Sequence, residues 1–379
     1  MIAILLSLFS VMLGVGIISP LLPVIAENLQ ATGIWIGLIF ASFSISRVLS
    51  LPFFGYLGDK FSRKKIFSTG LILYTIIAIL YAFSRTKEEL LLVRILHGTS
   101  SAMVIPIAMA QVASISNKNE LGKNLGIVNS SIFLGMAFGP LIGGVFADKF
   151  GYSSAFFAMS AFSAFSFLIA LLKFPEGNRV RRKEEKRIRI TKSVFTAIIY
   201  RILSSMGRGS VMSFLPIYLS AIGMSLTQIG TALFANLISS SLIQMRSGIL
   251  ADKYGFVKPV WFGSFIGAVS LFLIVRAENY FEVLFLSTLL GVSTAITLPA
   301  VSSLVAHEGV RQSLEGSYMG VLSASKSIGR AIGPILSGII YDLAGGGVVG
   351  VRIIFEVAAL LTILAALIYR RGVELDEVI

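Results

Sequence analysis

Long apolar runs separated by short polar connections dominate the hydrophobic pattern of the chain. A helix needs about 20 residues to cross a hydrocarbon core of about 30 Å, and twelve runs reach that length. Because lipid offers no partners to backbone groups, and because the runs show no two-residue alternation, the pattern predicts membrane-spanning helices rather than a β-barrel. The predicted spans lie near residues 2–26, 33–57, 66–84, 90–113, 122–146, 153–174, 194–220, 226–251, 258–276, 281–305, 314–341 and 349–370.

The composition agrees with an integral membrane protein. Hydrophobic residues make up 55% of the chain and charged residues 13%, whereas soluble domains carry about 25% charged residues. Cysteine is absent and histidine occurs twice, so the sequence predicts no disulfide, metal site or cofactor. An enzyme is not expected, because no converging set of nucleophile and base is visible. The run that starts at Met1 has no charged segment before it and predicts a retained span rather than a signal peptide.

Lysine and arginine are distributed unevenly over the connections and ends of the predicted spans. One side carries 20 of these residues and the other side carries 5. Because cytoplasmic loops are enriched in basic residues, this asymmetry predicts a plasma-membrane protein with both termini and the 55–65 loop in the cytoplasm. The net charge of +13 therefore reflects topology, and no nucleic-acid partner is expected.

The chain contains an internal repeat. A shift of 193 or 194 residues places equivalent glycines, prolines and charges on one another, among them Pro23 on Pro216, Gly55 on Gly248, Asp59 on Asp252, Gly98 on Gly291, Gly139 on Gly333 and Pro140 on Pro334. The repeat predicts an all-α fold of two parallel six-helix halves, residues 1–174 and 194–379, joined by a linker at 175–193. Nine basic residues between 173 and 192 suit either binding to an anionic inner leaflet or a solvated connector.

A charged loop follows the second predicted span and recurs in the second half. Its first copy reads GYLGDKFSRKK and its second reads GILADKYGFVK. The first copy is similar to the loop signature of the major facilitator superfamily, G-x-L-x-D-R-x-G-R-K, although Lys60 and Ser62 stand where arginine and glycine are usual. The matching residues are Gly55, Leu57, Asp59, Arg63 and Lys64 in the first copy, and Gly248, Leu250, Asp252 and Gly255 in the second.

Two further segments resemble patterns of the same family. LLVRILHG resembles the pattern of the fourth span through Arg94 and Gly98, and GMAFGPLIGG resembles the antiporter pattern of the fifth span. The residues that match the antiporter pattern are Gly135, Gly139, Pro140, Gly143 and Gly144. This resemblance implies a twelve-span drug:proton antiporter. Small residues at every fourth position also predict a face for close helix packing, which we expect to lie against the eighth span.

The resemblance implies a gating role for the charged loop, carried by Gly55, Asp59 and Arg63. We expect the Asp59 carboxylate to pair with Arg63 or with the positive start of the eleventh span near Gly316. Glu120 is expected to receive a basic residue of the same loop. The alternative is that these charges only fix the topology.

Basic residues are unusually frequent inside the predicted spans. Four of them lie deep enough to form a wet, positive cavity, and two amides are further cavity candidates: Arg47, Arg208, Lys326, Arg330, Asn129 and Asn236. Such a cavity predicts an anionic or carboxylate-bearing substrate. The alternative is that some of its cations pair with Glu356 or cap backbone carbonyls and never touch the substrate. Arg201 and Arg246 lie within about two turns of the cytoplasmic face and are expected to snorkel.

Four ionisable residues are candidates for proton coupling: Arg94, His97, Glu27 and Glu356. Arg94 matches the family pattern, in which such an arginine assists proton transfer. Histidine has a reference pKa near neutral pH, so His97 is a candidate proton carrier, with a packing role as the alternative. No acidic residue lies deep in the first, fourth or tenth span, which departs from the antiporter branch.

Together these features predict a secondary active transporter that exports small amphipathic compounds in exchange for protons by alternating access. Its expected partners are a small-molecule substrate, protons and inner-leaflet lipid, and it is expected to act as a monomer. A carrier for one defined organic anion is the first alternative. A receptor or lipid scramblase on the same scaffold, without solute transport, is the second.

Overall fold

The computed structural model describes residues 1–117, 120–175, 190–312 and 314–376. Within these ranges the side chains at 59, 121–122, 245–246, 248–252, 315 and 375–376 lie outside the description. The described residues form twelve helices: α1 (Ile2–Asn28), α2 (Gly33–Lys60), α3 (Arg63–Phe83), α4 (Lys87–Ile115), α5 (Leu121–Phe150), α6 (Tyr152–Lys173), α7 (Lys192–Ala221), α8 (Leu226–Tyr254), α9 (Val257–Ile274), α10 (Tyr280–Arg311), α11 (Glu315–Leu343) and α12 (Gly347–Asp376).

Ten of these helices are long and apolar enough to cross a membrane. The sequence predicted twelve apolar spans, and the two helices that fall short of this apolar character are α7 and α11. Both carry charges in their middle turns, Arg201 and Arg208 in α7 and Lys326 and Arg330 in α11. The described residues are therefore all-helical and multi-pass, and three of the four predicted deep basic residues, Arg208, Lys326 and Arg330, lie in these two helices.

Helix starts are fixed by local caps that recur along the chain. The Thr86 hydroxyl accepts the Glu89 N–H at the start of α4, and the Glu89 carboxylate accepts the Thr86 N–H. Asn279 and Glu282, 193 residues later, cap α10, where the Asn279 side chain accepts the Glu282 N–H. Ser62, which replaces the usual glycine of the charged loop, accepts the Lys65 N–H and so caps α3. These caps satisfy N–H groups that have no partner within the helix.

The chain divides into two compact units. Unit 1 comprises Met1–Ala31, Leu38–Lys183 and Gly223–Phe234, and within it α1 packs against α5 and α6, and α3 packs against α4 and α6. Unit 2 comprises the remaining residues, and within it α7 packs against α11 and α12, and α9 packs against α10 and α12. The boundaries 1–174 and 194–379 stay a prediction, and most of the 175–193 linker lies outside the described residues.

Candidate functional site

Three glycines of the antiporter-like segment bring α5 against α1 in unit 1. A Cβ on Gly135 would overlap the carbonyl oxygen of Phe9, and a Cβ on Gly139 would lie 2.5 Å from the carbonyl oxygen of Leu13. At Gly143 the corresponding distance to the Ile17 carbonyl oxygen is 2.6 Å. Only glycine allows this approach, because the obstructing atoms belong to the backbone of the neighbouring helix.

The other end of the same segment meets the start of α8, also within unit 1. A Cβ on Gly144 would overlap the Leu226 carbonyl, and Gly230 approaches the Pro140 carbonyl as closely. The expected packing of α5 against α8 is therefore confirmed at Gly144, whereas it is wrong for Gly135, Gly139 and Gly143, which meet α1. A helix packs different neighbours on different faces, and the spacing of small residues alone does not say which neighbour each face meets.

Unit 2 contains an equivalent close crossing between α7 and α11. A Cβ on Gly329 would overlap the Ile202 carbonyl, and a Cβ on Gly333 would lie 2.5 Å from the Met206 carbonyl oxygen. The hydroxyls of Ser210 and Ser337 form a buried hydrogen bond of 2.7 Å across the crossing. Each of these backbone contacts matches one at the α1–α5 crossing after the shift of 193 or 194 residues.

Two aspartates that sequence reasoning missed cap helix starts from far along the chain. In unit 1 the Asp148 carboxylate accepts the N–H groups of Leu226 and Thr227 at 3.0 and 2.7 Å. In unit 2 the Asp342 carboxylate accepts the N–H groups of Gly33 and Ile34 at 2.6 and 2.9 Å. Each carboxylate lies at the positive end of a helix, where a negative charge is stabilised. The 194-residue spacing of the two aspartates was visible in the sequence and was the signal for them.

Three arginines gather at the α7–α11 crossing, and we call Arg201, Arg208 and Arg330 the guanidinium cluster. Arg201 lies close enough to both of the others for their charges to repel. Buried Nε and Nη1 of Arg201 and buried Nε of Arg208 have no hydrogen-bond partner, while Nη2 of Arg208 donates weakly to the Ser205 hydroxyl at 3.4 Å. Arg201 as a whole is half-buried, and the expectation that its charged end snorkels to the cytoplasmic face stays a prediction.

The remaining cavity candidates do not all join the guanidinium cluster. Lys326 is half-buried on α11, one turn before Arg330. Arg47 belongs to unit 1 and also has a buried Nε without a partner. Asn129 is exposed on α5, and the Asn236 side-chain amide donates to the Ser287 carbonyl at 3.1 Å, which joins α8 to α10.

The side chain of Arg94 is satisfied within unit 1. Its Nε donates to the carbonyl of Ile39 at 3.3 Å, and its guanidinium lies over the rings of Phe40 and Phe43. Cation–π contacts of this kind stabilise a buried guanidinium without a carboxylate. Arg94 therefore ties α4 to α2.

His97 is completely buried, with 0% of its surface exposed. Its ring makes edge contacts with Phe43, Tyr74 and Tyr81, and its Nδ1 is 3.2 Å from the Tyr81 hydroxyl. This environment favours the packing role over proton carriage in this conformation, because the ring has no exposed surface.

Of the two acidic candidates, Glu356 is already paired. Its carboxylate forms an ion pair with Arg276, and both side chains are 37% exposed. The alternative in which Glu356 neutralises the deep arginines is therefore wrong. Glu27 lies half-buried in the last turn of α1.

The charged loop is described only in part. Arg63 donates from Nη1 to the carbonyl of Ala110, near the end of α4, at 3.1 Å. Lys64 is half-buried, and among the described residues neither it nor Arg63 forms an ion pair with Glu120. The side chains at Asp59, Gly248 and Asp252 lie outside the description, so the pairing expected for Asp59 stays a prediction.

Comparison with known proteins places these features in a family. The pattern of the Major Facilitator Superfamily matches residues 4–201 and 197–377. The chain is 28% identical to quinolone resistance protein NorA of Staphylococcus aureus over 347 residues, covering 89% of this chain and 88% of that protein. It is also 28% identical to multidrug resistance protein 1 of Bacillus subtilis over 354 residues, with the same coverage.

The fold is also found among solved structures. A bacterial homologue of the human lysosomal transporter Spinster, inward-facing and occupied, aligns with a TM-score of 0.86 and 15% identity, covering 98% of this chain and 96% of that one. The family pattern extends over both parts of the chain, with its repeated glycines and charged loops. The chain therefore belongs to the Major Facilitator Superfamily of membrane transporters and is not an enzyme.

Proposed function

We propose that this protein is a secondary active transporter that exports small amphipathic compounds in exchange for protons. The observation that carries the proposal is its likeness, over nearly its whole length, to proteins named for quinolone and multidrug resistance. The antiporter-like segment from Gly135 to Gly144 supports the same direction of transport. We place the protein in the plasma membrane with both termini cytoplasmic, because of the excess of basic residues on that side.

The first experiment tests export and its proton dependence together. The purified full-length protein is reconstituted in liposomes, and movement of the amphipathic dye ethidium is followed with and without an imposed pH gradient. We expect dye movement against its gradient only while the pH gradient lasts, and its loss when a protonophore is added. Equal rates with and without the pH gradient would contradict proton coupling.

We propose alternating access as the mechanism, with residues 1–174 and 194–379 as the two repeats that move. Repeats of parallel topology interconvert by rocking, which opens the substrate site to one side at a time. The charged loop with Gly55, Asp59 and Arg63 is proposed as a gate of this motion. Asp59→Asn should reduce flux without loss of folded protein, whereas Asp59→Glu should retain more of it. Full flux in Asp59→Asn would leave the loop with a topological role only.

Glu27 is the residue that we propose to carry the coupled proton. His97 is completely buried and the Glu356 carboxylate pairs with Arg276, whereas Glu27 is a half-buried carboxyl in the last turn of α1. Glu27→Gln should therefore abolish the dependence of dye movement on the pH gradient. Glu356→Gln serves as the matched control and should keep that dependence, and a reversal of the two results would reassign the proton site.

A carrier for an organic anion is the second candidate, and the guanidinium cluster is the observation that favours it. The same liposomes distinguish the two candidates. Movement of an aromatic carboxylate without movement of ethidium would favour the anion carrier.

A further inference from the structure

Close backbone contacts bring together the two helices that carry the guanidinium cluster. Gly329 and Gly333 bring α11 onto the carbonyls of Ile202 and Met206. Arg201 and Arg208 are seven residues apart on α7 and therefore project from one helical face, and Arg330 directly follows Gly329 on α11. The close crossing thus forces like charges together instead of letting them spread through solvent.

Arg201 and Arg208 are half-buried, and the buried nitrogens of each guanidinium group lack a hydrogen-bond partner. Three of their buried nitrogens have no hydrogen-bond partner, and neither residue pairs with a carboxylate among the described residues. Two carboxylates of unit 2 are engaged elsewhere, Asp342 with the start of α2 and Glu356 with Arg276. A buried charge without a partner is costly, and buried polar donors normally find an acceptor.

Unit 1 shows that the crossing itself does not require these charges. Shifting by 193 residues places Arg201 and Arg208 on Leu8 and Val15 of α1, and shifting by 194 places Arg330 on Met136 of α5. The α1–α5 crossing makes the same backbone contacts with these apolar side chains. Because the fold is built without arginines in one repeat, the arginines of the other repeat serve a purpose other than packing.

We propose that Arg201, Arg208 and Arg330 form a subsite within unit 2 that binds the carboxylate of an amphipathic organic anion carried by the protein. Planar guanidinium groups bind carboxylates through paired, charge-assisted hydrogen bonds, and a bound carboxylate would accept the unpartnered N–H groups and reduce the mutual repulsion. The inference rests on the proposed transport function and names the class of cargo. In this proposal the anion-binding residues are centred on Arg201, whereas the cavity predicted from the sequence included Arg47.

Binding is tested with three probes that share one aromatic body: naphthalene-2-carboxylate, naphthalene-2-carboxamide and naphthalen-2-ylmethylammonium. The purified protein is titrated with each, and affinity is taken from the rise in unfolding temperature, since a ligand of the native state stabilises it. We expect the carboxylate to bind best and Arg201→Gln or Arg208→Gln to weaken it about tenfold or more. Binding of the carboxamide should change little. Equal binding of carboxylate and carboxamide by the wild type would overturn the proposal.

Controls separate lost recognition from lost folding. Arg371→Gln removes an exposed arginine of the same unit and should leave carboxylate affinity unchanged. Arg201→Lys keeps the charge but not the planar fork, so it should bind with intermediate affinity. A loss of the folded peak in size-exclusion chromatography with both Arg201→Gln and Arg201→Lys would assign the residue to the fold and overturn the subsite.

A lipid phosphate is the competing source of the anion. The unfolding temperature is compared in nanodiscs of phosphatidylglycerol and of phosphatidylcholine. If phosphatidylglycerol stabilises the wild type but not the Arg201→Gln/Arg208→Gln variant, and naphthalene-2-carboxylate has no effect, the cluster binds lipid and the cargo proposal is wrong. Export of ethidium that persists without any carboxylate binding would reject the subsite alone and leave the proposed export function standing.

Discussion

The α1–α5 crossing and the α7–α11 crossing share a backbone geometry and differ in their side chains. Gly139 meets the Leu13 carbonyl in unit 1, and Gly333 meets the Met206 carbonyl in unit 2, at the same distance of 2.5 Å. At the positions equivalent to the guanidinium cluster unit 1 carries Leu8, Val15 and Met136, whereas unit 2 carries the three arginines. The difference separates two roles: close backbone approach builds each crossing, and side chains that the crossing does not need are available for recognition.

The largest expected effect follows from a side chain that keeps the two helix backbones of a crossing apart. In Gly139→Val the new side chain would meet the Leu13 carbonyl and the Gly16 Cα, each 2.5 Å from the Cβ. Because both obstacles are backbone, we expect a loss of about 3 kcal/mol or more in stability and little folded protein by size-exclusion chromatography. Gly126→Ala is the control, since a Cβ there has open space, and equal yields of the two variants would contradict the packing role.

Placing a charge of unit 2 into unit 1 tests whether the two crossings differ in environment. Met136→Arg copies Arg330 to the equivalent position of α5. We expect it to destabilise the protein by about 2.5–3.5 kcal/mol, the cost of an embedded charge on insertion scales, as a lower unfolding temperature. Met136→Leu is the control and should change the unfolding temperature little. An unchanged unfolding temperature in Met136→Arg would show that the two crossings do not differ in how they accept a charge.

The reverse substitution should stabilise unit 2. Arg201→Met removes one of the repelling charges and its unpartnered nitrogens, and replacing buried ionic groups by apolar ones often raises stability by about 1–4 kcal/mol. We expect a higher unfolding temperature with lower transport of organic carboxylates. Arg371→Met, at an exposed position, should change neither quantity. A lower unfolding temperature in Arg201→Met would mean that the cluster stabilises the fold.

The smallest expected effect comes from removing the charge of the two aspartate caps, Asp148 and Asp342. Asp148→Asn and Asp342→Asn each keep a hydrogen-bond acceptor but lose the charge that faces a helix start, so each should cost at most about 1 kcal/mol. Because the caps lie in different units, their effects on the unfolding temperature should add in the double variant. Strong non-additivity would show that the two caps depend on each other.

Much of the fold could be predicted because it depends on local patterns. The apolar run near 2–26 became α1 (Ile2–Asn28) and that near 153–174 became α6 (Tyr152–Lys173). Helix length follows directly from the thickness of the hydrocarbon core. The repeat was visible as well, because the glycines at close crossings cannot change without a clash.

The composition of the candidate site could not be predicted in the same way. The sequence does not show which face of a spanning helix meets which neighbour, so Arg201 was left out of the predicted cavity by its depth alone. Arg47 was placed at the same depth as Arg208 and Arg330, but it belongs to the other unit. Neighbours across a crossing are set by three-dimensional packing, which depth along a single helix does not report.

The make-up of unit 1 sets an order for its folding. The unit includes Gly223–Phe234, whose first helical residues are capped by Asp148 and lie against Gly144. A ribosome has released α1 to α6, the linker and α7 before this segment appears. Although domains commonly fold in order of synthesis, unit 1 stays incomplete until α8 has been inserted, and a protein cut after α6 would leave the carboxyl-terminal end of α5 uncovered.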